Sequence, residues 1–367
     1  KAAAREGSRA AAFERKGSGY HGDTGKAFRL RHFSGDPAQR AAGKDLRCTG
    51  CDGGPLHRRY TDAKNGCDGG DALCGRHVCP KAAAACVLNG FGKTAGLVQI
   101  GELGTLETPI ALTNTLNVGL VYDAMVEYMV GRCAQSGTAL RSVNPVVAEC
   151  NDGGLNDIAR RAVRQEHVFA AIENARADFE EGDVGAGKGM VCHGLKGGIG
   201  SASRIVELDG ARYTLGVLAL ANHGRLEDLC IGGKSVGAKI AAHLESAPEQ
   251  QQDKGSCIVV MATDLPLCAR QLERVVKRAS VGLARLGSYI GHGSGEVFLG
   301  FSTTNRVPHE SARAVLPCTV LHEGRIDAVF RAMGEATEEA VLRAMLCADT
   351  VTGFDGSTKY TIRNFVS

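Results

Sequence analysis

The chain has 367 residues, of which 44% are hydrophobic, and this is enough apolar material to bury the core of one large α/β domain or of two ordinary domains. The net charge of +3 is too small to indicate a nucleic-acid partner. Gly, Asp, Glu or Arg interrupts every apolar run before it reaches the roughly 18 residues of a membrane span, so the sequence predicts no transmembrane helix.

The cysteines indicate a reduced protein. The sequence contains 14 of them, and most lie singly inside apolar segments, as Cys86, Cys192 and Cys257 do. This distribution differs from that of a disulfide scaffold, which is a feature of short secreted chains. The Ala/Arg-rich opening stretch also lacks the apolar centre of a secretory signal. We therefore expect a cytoplasmic location, and a periplasmic one stays open.

Residues 1–80 form an atypical segment rich in Cys, Gly and Arg. They show no sustained helical or strand period, so we predict little regular structure there. A CxxC pair with further cysteines and histidines stands in this segment: Cys48, Cys51, His57, Cys67, Cys74, His77 and Cys79. Such a set could hold a structural zinc ion, but its second half lacks a clean CxxC or HxxxH pair, and clusters of this kind in irregular regions are often free thiols. We assign no metal and no cofactor.

After residue 80, short apolar runs alternate with helical patterns. The predicted strands span residues 86–89, 109–114, 145–149, 203–208, 213–222, 257–263 and 297–303. The predicted helices span residues 117–130, 266–286 and 337–345. Asp264 is expected to cap the helix that Pro266 opens. Strands interleaved with helices indicate an α/β protein in layers around a shared core.

The pair Gly255-Ser256 stands between a polar, Gln-rich stretch and an apolar, β-branched run. This layout is expected where a precursor cleaves itself so that the first residue of a strand becomes a new N-terminus. The serine would then carry a hydroxyl and an α-amine of pKa about 7.7–8.0, which can act as general base for that hydroxyl. Gly255 would permit the strained backbone that the attack needs. Taken alone, the pair also fits an ordinary loop end.

Seven ordered segments support the processing interpretation. They are VLNGFGKTAGLVQIGELGTLETPIALTNTLNVG (87–119), PVVAECNDGGLNDI (145–158), GDVGAGKGMVCHGLKGGIGSASR (182–204), YTLGVLALANHGR (213–225), GSCIVVMATDLPL (255–267), GSGEVFLGFSTTNR (293–306) and AVLRAMLCADTVTGFDG (340–356). Together they resemble the L-aminopeptidase/D-amidase-esterase family, which includes the β-aminopeptidases and the nylon-oligomer hydrolase.

The resemblance implies the fold and the organisation of the chain. It implies a four-layer αββα sandwich similar to the N-terminal-nucleophile hydrolases. It also implies cleavage into two subunits that stay together, so that residues 81–255 and 256–367 form the two parts of one hydrolase domain. We further expect a homo-oligomer of the paired subunits.

The resemblance also assigns catalytic roles. Ser256 matches the family nucleophile, and Asn222 matches a residue of the oxyanion hole, where a lost donor costs roughly 2.7–4 kcal/mol. Ser294 and Glu296 match residues that help orient the amine and the hydroxyl of the nucleophile. Without the resemblance, Asn222 fits a turn, and the GSGE segment fits a turn before a strand.

Two further residues concern substrate binding. Glu149 matches the carboxylate that receives the amino group of the substrate, although an acid at a strand end can also be an ordinary surface group. Asn151 stands where some members of the family carry a tyrosine that assists the oxyanion, so we expect that assistance to be absent or replaced and the substrate preference to differ.

Other motifs give weaker indications. The run GDVGAGKG (182–189) is not a phosphate-binding loop, because Gly189 stands where Ser or Thr should follow Lys188. His193, His223 and His292 could indicate a Ser/His arrangement, but an N-terminal nucleophile makes a histidine base unnecessary. We expect them to be loop residues or residues that support the site.

The sequence therefore predicts a self-processing aminopeptidase or amidase. It would hydrolyse N-terminal residues from small peptides, amides or esters through a Ser256 acyl-enzyme. The alternative is a non-catalytic binding or assembly protein on the same scaffold, with the Cys-rich segment contacting another partner.

Overall fold

The computed structural model describes residues 46–48, 80–137, 139–175, 179–244, 255–308 and 311–366. The side chains of the Cys/His set in residues 1–80 lie outside this part of the chain, and so does the Gln-rich stretch before Gly255. The zinc hypothesis for residues 1–80 therefore stays a prediction. Within the described residues, no helix is long and apolar enough to cross a membrane.

Strands and helices alternate along the chain, as the sequence predicted. The strands are β1 (Leu46–Cys48), β2 (Lys81–Gly90), β3 (Thr105–Leu106), β4 (Ile110–Asn114), β5 (Val146–Cys150), β6 (Val191–Cys192), β7 (Leu195–Lys196), β8 (Gly198–Leu208), β9 (Ala211–Asn222), β10 (Cys230–Ile231), β11 (Lys234–Ser235), β12 (Ser256–Thr263), β13 (Gly295–Arg306), β14 (Val351–Thr352) and β15 (Thr358–Lys359). The α-helices are α1 (Leu97–Leu103), α2 (Val118–Gln135), α3 (Gln165–Glu173), α4 (Gly237–His243), α5 (Ala269–Val276), α6 (Ala279–Arg285) and α7 (Asp327–Leu346).

A six-stranded sheet forms the centre of the molecule. Its strand order is β3-β2-β13-β12-β9-β8, with β12 parallel to β13 and antiparallel to β9. Every residue of β12 is buried. A strand covered on both faces needs apolar side chains at successive positions, which explains why its sequence is a continuous β-branched run rather than an alternating one.

Three apolar layers separate four layers of secondary structure. Val259 and Phe298 of the large sheet pack with α5, α6 and α7 on one side. Ile258 on the other face packs against a small parallel sheet of order β1-β4-β5. The outer face of that small sheet, with Ala111 and Val147, is covered by α2 and α3. The order helices, sheet, sheet, helices confirms the predicted αββα sandwich.

Both predicted subunit parts contribute to the same sheet. β12 and β13 follow Gly255 in the chain, whereas their neighbours β9 and β2 precede it. A cut before Ser256 would break no strand ladder, because the ladders join strands on either side of the cut. Cleaved parts would therefore remain held by hydrogen bonds and by the shared core.

The single helix predicted over residues 266–286 is wrong. The structure has two helices there, α5 and α6, with a break at Lys277 and Arg278. Both helices keep the same apolar period, so the pattern could not reveal the break. Asp264 is not a cap either, because its Oδ1 accepts the Thr214 N–H at 2.6 Å, and Cys268 occupies the N-cap of α5.

Two predicted elements begin earlier in the structure than the sequence indicated. β8 begins at Gly198 rather than at residue 203, and α7 begins at Asp327 rather than at residue 337. The early part of β8 contains Gly198 and Gly200, and their lack of side chains hides the strand pattern. Close packing against α7 explains why residue 200 is a glycine, because a Cβ there would lie 2.0 Å from the Ala340 backbone oxygen.

A buried lysine holds the turn that leads into β8. Lys196 is fully buried, and its Nζ donates to the carbonyl oxygens of Gly187 and Met190, both at 3.0 Å, and of Gly197 at 2.7 Å. Burial lowers the pKa of Lys196 to about 7, with the charge of Asp183 opposing the shift. The three bonds fix the backbone around residues 187–197.

Substituting Gly200 by Ala should destabilise the contact between β8 and α7. The added Cβ overlaps the α7 backbone, so we expect a loss of about 1–3 kcal/mol in the free energy of unfolding. Gly131→Ala is the matched control, since nothing lies within 4 Å of its Cβ position in α2, and it should be neutral or stabilising by up to about 1 kcal/mol. Denaturant unfolding at one protein concentration measures both. Equal effects of the two substitutions would contradict the close approach.

The buried Lys196 should make stability depend on pH. Between about pH 7 and the ordinary lysine pKa of 10.5, the unfolded chain binds a proton that the folded chain does not. The free energy of unfolding of the wild type should therefore rise through this window relative to Lys196→Met. Unfolding curves at several pH values test this, with the exposed Lys239→Met as control. Parallel curves for wild type and Lys196→Met would show that Lys196 does not titrate in this range.

Candidate active site

Ser256 is the first residue of β12 and lies between two neighbouring strands. Its register partners are Asn222 at the end of β9 and Gly295 at the start of β13. Ser256 is buried, with 4% of its surface exposed. The Gly295 N–H donates to the carbonyl oxygen of Gly255 at 3.0 Å. Three strand ends therefore meet at the predicted cleavage site.

Gly255 is required by packing. A Cβ on Gly255 would lie 2.2 Å from the backbone oxygen of Asn222 and 2.5 Å from the Cα of His223. The sequence analysis expected a strained backbone at this glycine, but Gly255 is not among the residues with positive φ. The close approach of two chains explains the glycine instead.

The amide of Asn222 faces the hydroxyl of Ser256. Its Oδ1 accepts the Val191 N–H at 2.8 Å, and its Nδ2 donates to the backbone oxygen of Asn151 at 3.0 Å and to Ser256 Oγ at 3.4 Å. The bond from Val191 orients the amide so that its two N–H groups point toward Ser256 and Asn151. The amide of Asn222 is therefore a fixed N–H donor beside the Ser256 hydroxyl.

Cys150 is a neighbour of Ser256 that the sequence analysis did not single out. It ends β5, is fully buried, and its Sγ donates to the Leu220 carbonyl oxygen at 3.7 Å. Burial raises the pKa of the Cys150 thiol well above its usual range, and the neighbouring Ser256 side chain only partly offsets this. Cys150 is therefore a neutral thiol near pH 7 and a poor nucleophile. Its only sequence signal is its position directly after Glu149.

Ser294 and Glu296 are both fully buried and contact each other. The Ser294 hydroxyl donates to Glu296 Oε1, and the amide of Asn89 donates to the Ser294 backbone oxygen at 2.5 Å. Glu296 is the register partner of Cys257. Because side chains alternate along a strand, its carboxylate lies on the opposite face of the sheet from the Ser256 hydroxyl.

Glu149 is not a surface group, since only 3% of it is exposed. It lies in β5, and one carboxylate oxygen accepts the Lys93 N–H at 2.9 Å while the other accepts the Thr115 hydroxyl. The Asn151 side chain instead accepts the Gly153 N–H at 2.9 Å within its own loop. Asn151 thus contacts Asn222 through the Asn151 backbone oxygen, which accepts from Asn222 Nδ2.

Comparison with known proteins agrees with this geometry. Residues 72–359 match the model of peptidase family S58. The β-peptidyl aminopeptidase BapA of Sphingosinicella xenopeptidilytica is 39% identical over 293 residues, which are 77% of this chain and 72% of the relative. The BapA of Sphingosinicella microcystinivorans is also 39% identical, over 74% of this chain and 70% of the relative.

Two solved structures share the fold. The L-aminopeptidase D-Ala-esterase/amidase of Ochrobactrum anthropi, described as a variant of the N-terminal-nucleophile hydrolase fold, superimposes with a TM-score of 0.72 at 37% identity, covering 78% of this chain and 79% of that protein. A β-aminopeptidase of a Burkholderia species superimposes with a TM-score of 0.74 at 35% identity, covering 88% and 90%.

These matches confirm the resemblance seen in the sequence and favour a hydrolase over a non-catalytic scaffold protein. The chain belongs to peptidase family S58 and is an aminopeptidase or amidase with the fold of the N-terminal-nucleophile hydrolases.

Proposed function

We propose that the chain cleaves its own Gly255–Ser256 bond and that Ser256 then acts as the nucleophile of the aminopeptidase. The observation that carries this proposal is the contact of the buried Ser256 hydroxyl, at the start of a central strand, with the amide of Asn222. A serine placed only to end a loop would not need such a donor.

The contacts around Gly255 support the cleavage step. Ser256 Oγ attacks the Gly255 carbonyl carbon, and the C–N bond breaks as the hydroxyl proton passes to the departing nitrogen. This forms an ester between Gly255 and Oγ and releases the α-amine of Ser256. Water then hydrolyses the ester and leaves a carboxylate on Gly255. The Gly295 N–H, 3.0 Å from the Gly255 oxygen, is placed to stabilise the negative charge that develops on that oxygen.

Substrate hydrolysis follows the same chemistry with a free α-amine. The unprotonated amine of Ser256 takes the hydroxyl proton as Oγ attacks the substrate carbonyl, and Asn222 Nδ2 donates to the oxyanion. The proton passes to the leaving amine, and water hydrolyses the acyl-enzyme. Glu296 is bonded to Ser294 and lies on the face away from the hydroxyl, which supports a role in orienting the amine rather than Oγ.

The substrate is a small peptide, amide or ester with a free N-terminal amine. Glu149 supports this class because it is a buried carboxylate at the end of β5, next to Cys150, which contacts Ser256. Each of its oxygens accepts one protein donor and can accept another. Relatives named as β-peptidyl aminopeptidases make β-aminoacyl substrates the first to test. Because the Asn151 side chain is bonded within its own loop, we propose Asn222 and not Asn151 as the oxyanion donor.

We further propose that the two cleaved parts stay paired, as their shared sheet allows, that the pairs assemble into a homo-oligomer, and that the enzyme works in the cytoplasm.

Cleavage should depend on Ser256 and on the space at Gly255. The wild type should give two fragments on a denaturing gel, residues 1–255 and 256–367, whereas Ser256→Ala should give one band. Gly255→Ala should slow or abolish cleavage, because its Cβ would collide with the backbone of Asn222. Ser203→Ala, a buried serine of β8, is the control and should be cleaved normally. If Ser256→Ala still splits at this position, the proposed chemistry is wrong.

Replacing Glu149 by Gln should weaken substrate binding without affecting self-cleavage. The substrate ammonium would lose its buried charge partner, so we expect kcat/KM for aminoacyl p-nitroanilides to fall by about 10²–10³-fold, mainly through KM. Self-cleavage involves no ammonium ligand, so the gel should show two bands as in the wild type. An unchanged KM in a cleaved Glu149→Gln variant would remove Glu149 from the amine site.

A further inference from the structure

A cluster of three buried side chains lies beside the Asn222 end of the site. Cys192 ends β6, His193 follows it in the turn to β7, and His223 follows β9. The exposed fractions of the three residues are 0%, 0% and 1%. The Cys192 sulfur and one ring nitrogen of each histidine all lie within 4.8 Å of one another. The proposed hydrolysis uses none of these groups.

The two imidazoles of the cluster differ in their hydrogen bonding. His193 Nδ1 lies 3.0 Å from the Arg225 carbonyl oxygen, and since a carbonyl can only accept, Nδ1 carries the proton. The lone pair of His193 is then on Nε2. Neither ring nitrogen of the buried His223 has a hydrogen-bond partner among the described residues. Leaving both nitrogens unpaired inside a protein is costly, and a metal ion bound to one of them would reduce that cost.

The backbone is shaped to bring the two rings together. His193 adopts a φ of 47° and Gly224 a φ of 85°. A Cβ on Gly224 would lie 2.4 Å from Cε1 of the His193 ring, so only glycine leaves room for that imidazole. The His193 N–H also donates to the His223 carbonyl oxygen at 2.7 Å. A non-glycine residue with positive φ is an unfavourable conformation that the surrounding structure must hold in place.

We propose that Cys192, His193 and His223 bind one zinc ion. One thiolate and two imidazoles are ligands that zinc prefers. Three atoms within 4.8 Å of one another have a common point at most about 2.8 Å from each, so movements of under about 1 Å reach the zinc bond lengths of about 2.0–2.3 Å. Binding releases the thiol proton to solvent, and water takes the fourth position.

The ion would connect β6 to the end of β9, where the oxyanion donor lies. Val191, the residue before Cys192, donates to Asn222 Oδ1, and Asn222 precedes His223. Zinc bound to both segments would hold the Asn222 amide in its orientation toward Ser256. The ion would have a structural role and not a catalytic one, because its ligands Cys192 and His223 adjoin Val191 and Asn222 in the chain.

The test is the zinc content of the full chain, measured without substrate. Each protein is stripped with a chelator, incubated with zinc chloride, dialysed and analysed by elemental mass spectrometry. The wild type should retain one more zinc ion per chain than His223→Gln and than Cys192→Ser. Cys318→Ser combined with His292→Gln, both at exposed positions, is the matched control and should retain as much zinc as the wild type. Thermal melting identifies any variant that is not folded.

Cobalt provides a measurement that does not depend on the cluster variants. Since residues 1–80 could themselves bind metal, the five cysteines Cys48, Cys51, Cys67, Cys74 and Cys79 are replaced by serine. Cobalt(II) added to this protein should bind at one equivalent and give a thiolate-to-cobalt charge-transfer band. Equal zinc in all folded variants together with no such band would overturn the proposal. Because neither readout uses catalysis, this failure would leave the proposed hydrolase unaffected.

Discussion

The register of three adjacent strands determines where the chemistry can occur. Ser256 of β12 stands level with Asn222 of β9 and Gly295 of β13, so a hydroxyl, an amide donor and a backbone N–H meet at one end of the sheet. A shift of one residue would turn the Ser256 side chain to the other face and remove it from Asn222. The close packing of Gly255 against the Asn222 backbone leaves little room for such a shift.

The αββα layers determine which side chains can act together. The face of the large sheet that carries Ser256 and Asn222 packs toward the small sheet, and Cys150 at the end of β5 lies between the two sheets. The opposite face carries Glu296 beside Cys257. Asn222, the proposed oxyanion donor, therefore lies on the same face as the Ser256 hydroxyl, whereas Glu296, which we propose to orient the amine, lies on the other face.

Ser256, Asn222 and Glu149 could be proposed from the sequence because the segments that contain them resemble one family. Without that resemblance, they also fitted a loop end, a turn and a surface group. The continuous apolar run of β12 did predict a buried strand by itself. Cys150 was missed because a single cysteine at the end of an apolar strand forms no recognisable sequence motif. The role of Lys196 was hidden for a different reason: its three carbonyl partners come from a glycine-rich turn whose path only the structure gives. The helix break at Lys277 was invisible because the apolar period continues across it.

The most direct test of Ser256 as nucleophile is to trap the acyl-enzyme. The cleaved enzyme is mixed with an aminoacyl ester, quenched in acid within its first turnover, digested and analysed by mass spectrometry. If Ser256 is the N-terminal nucleophile, the peptide that begins with Ser256 will carry the added acyl mass on its hydroxyl. An acyl group on another residue, or a digest in which no peptide begins at Ser256, would contradict the assignment.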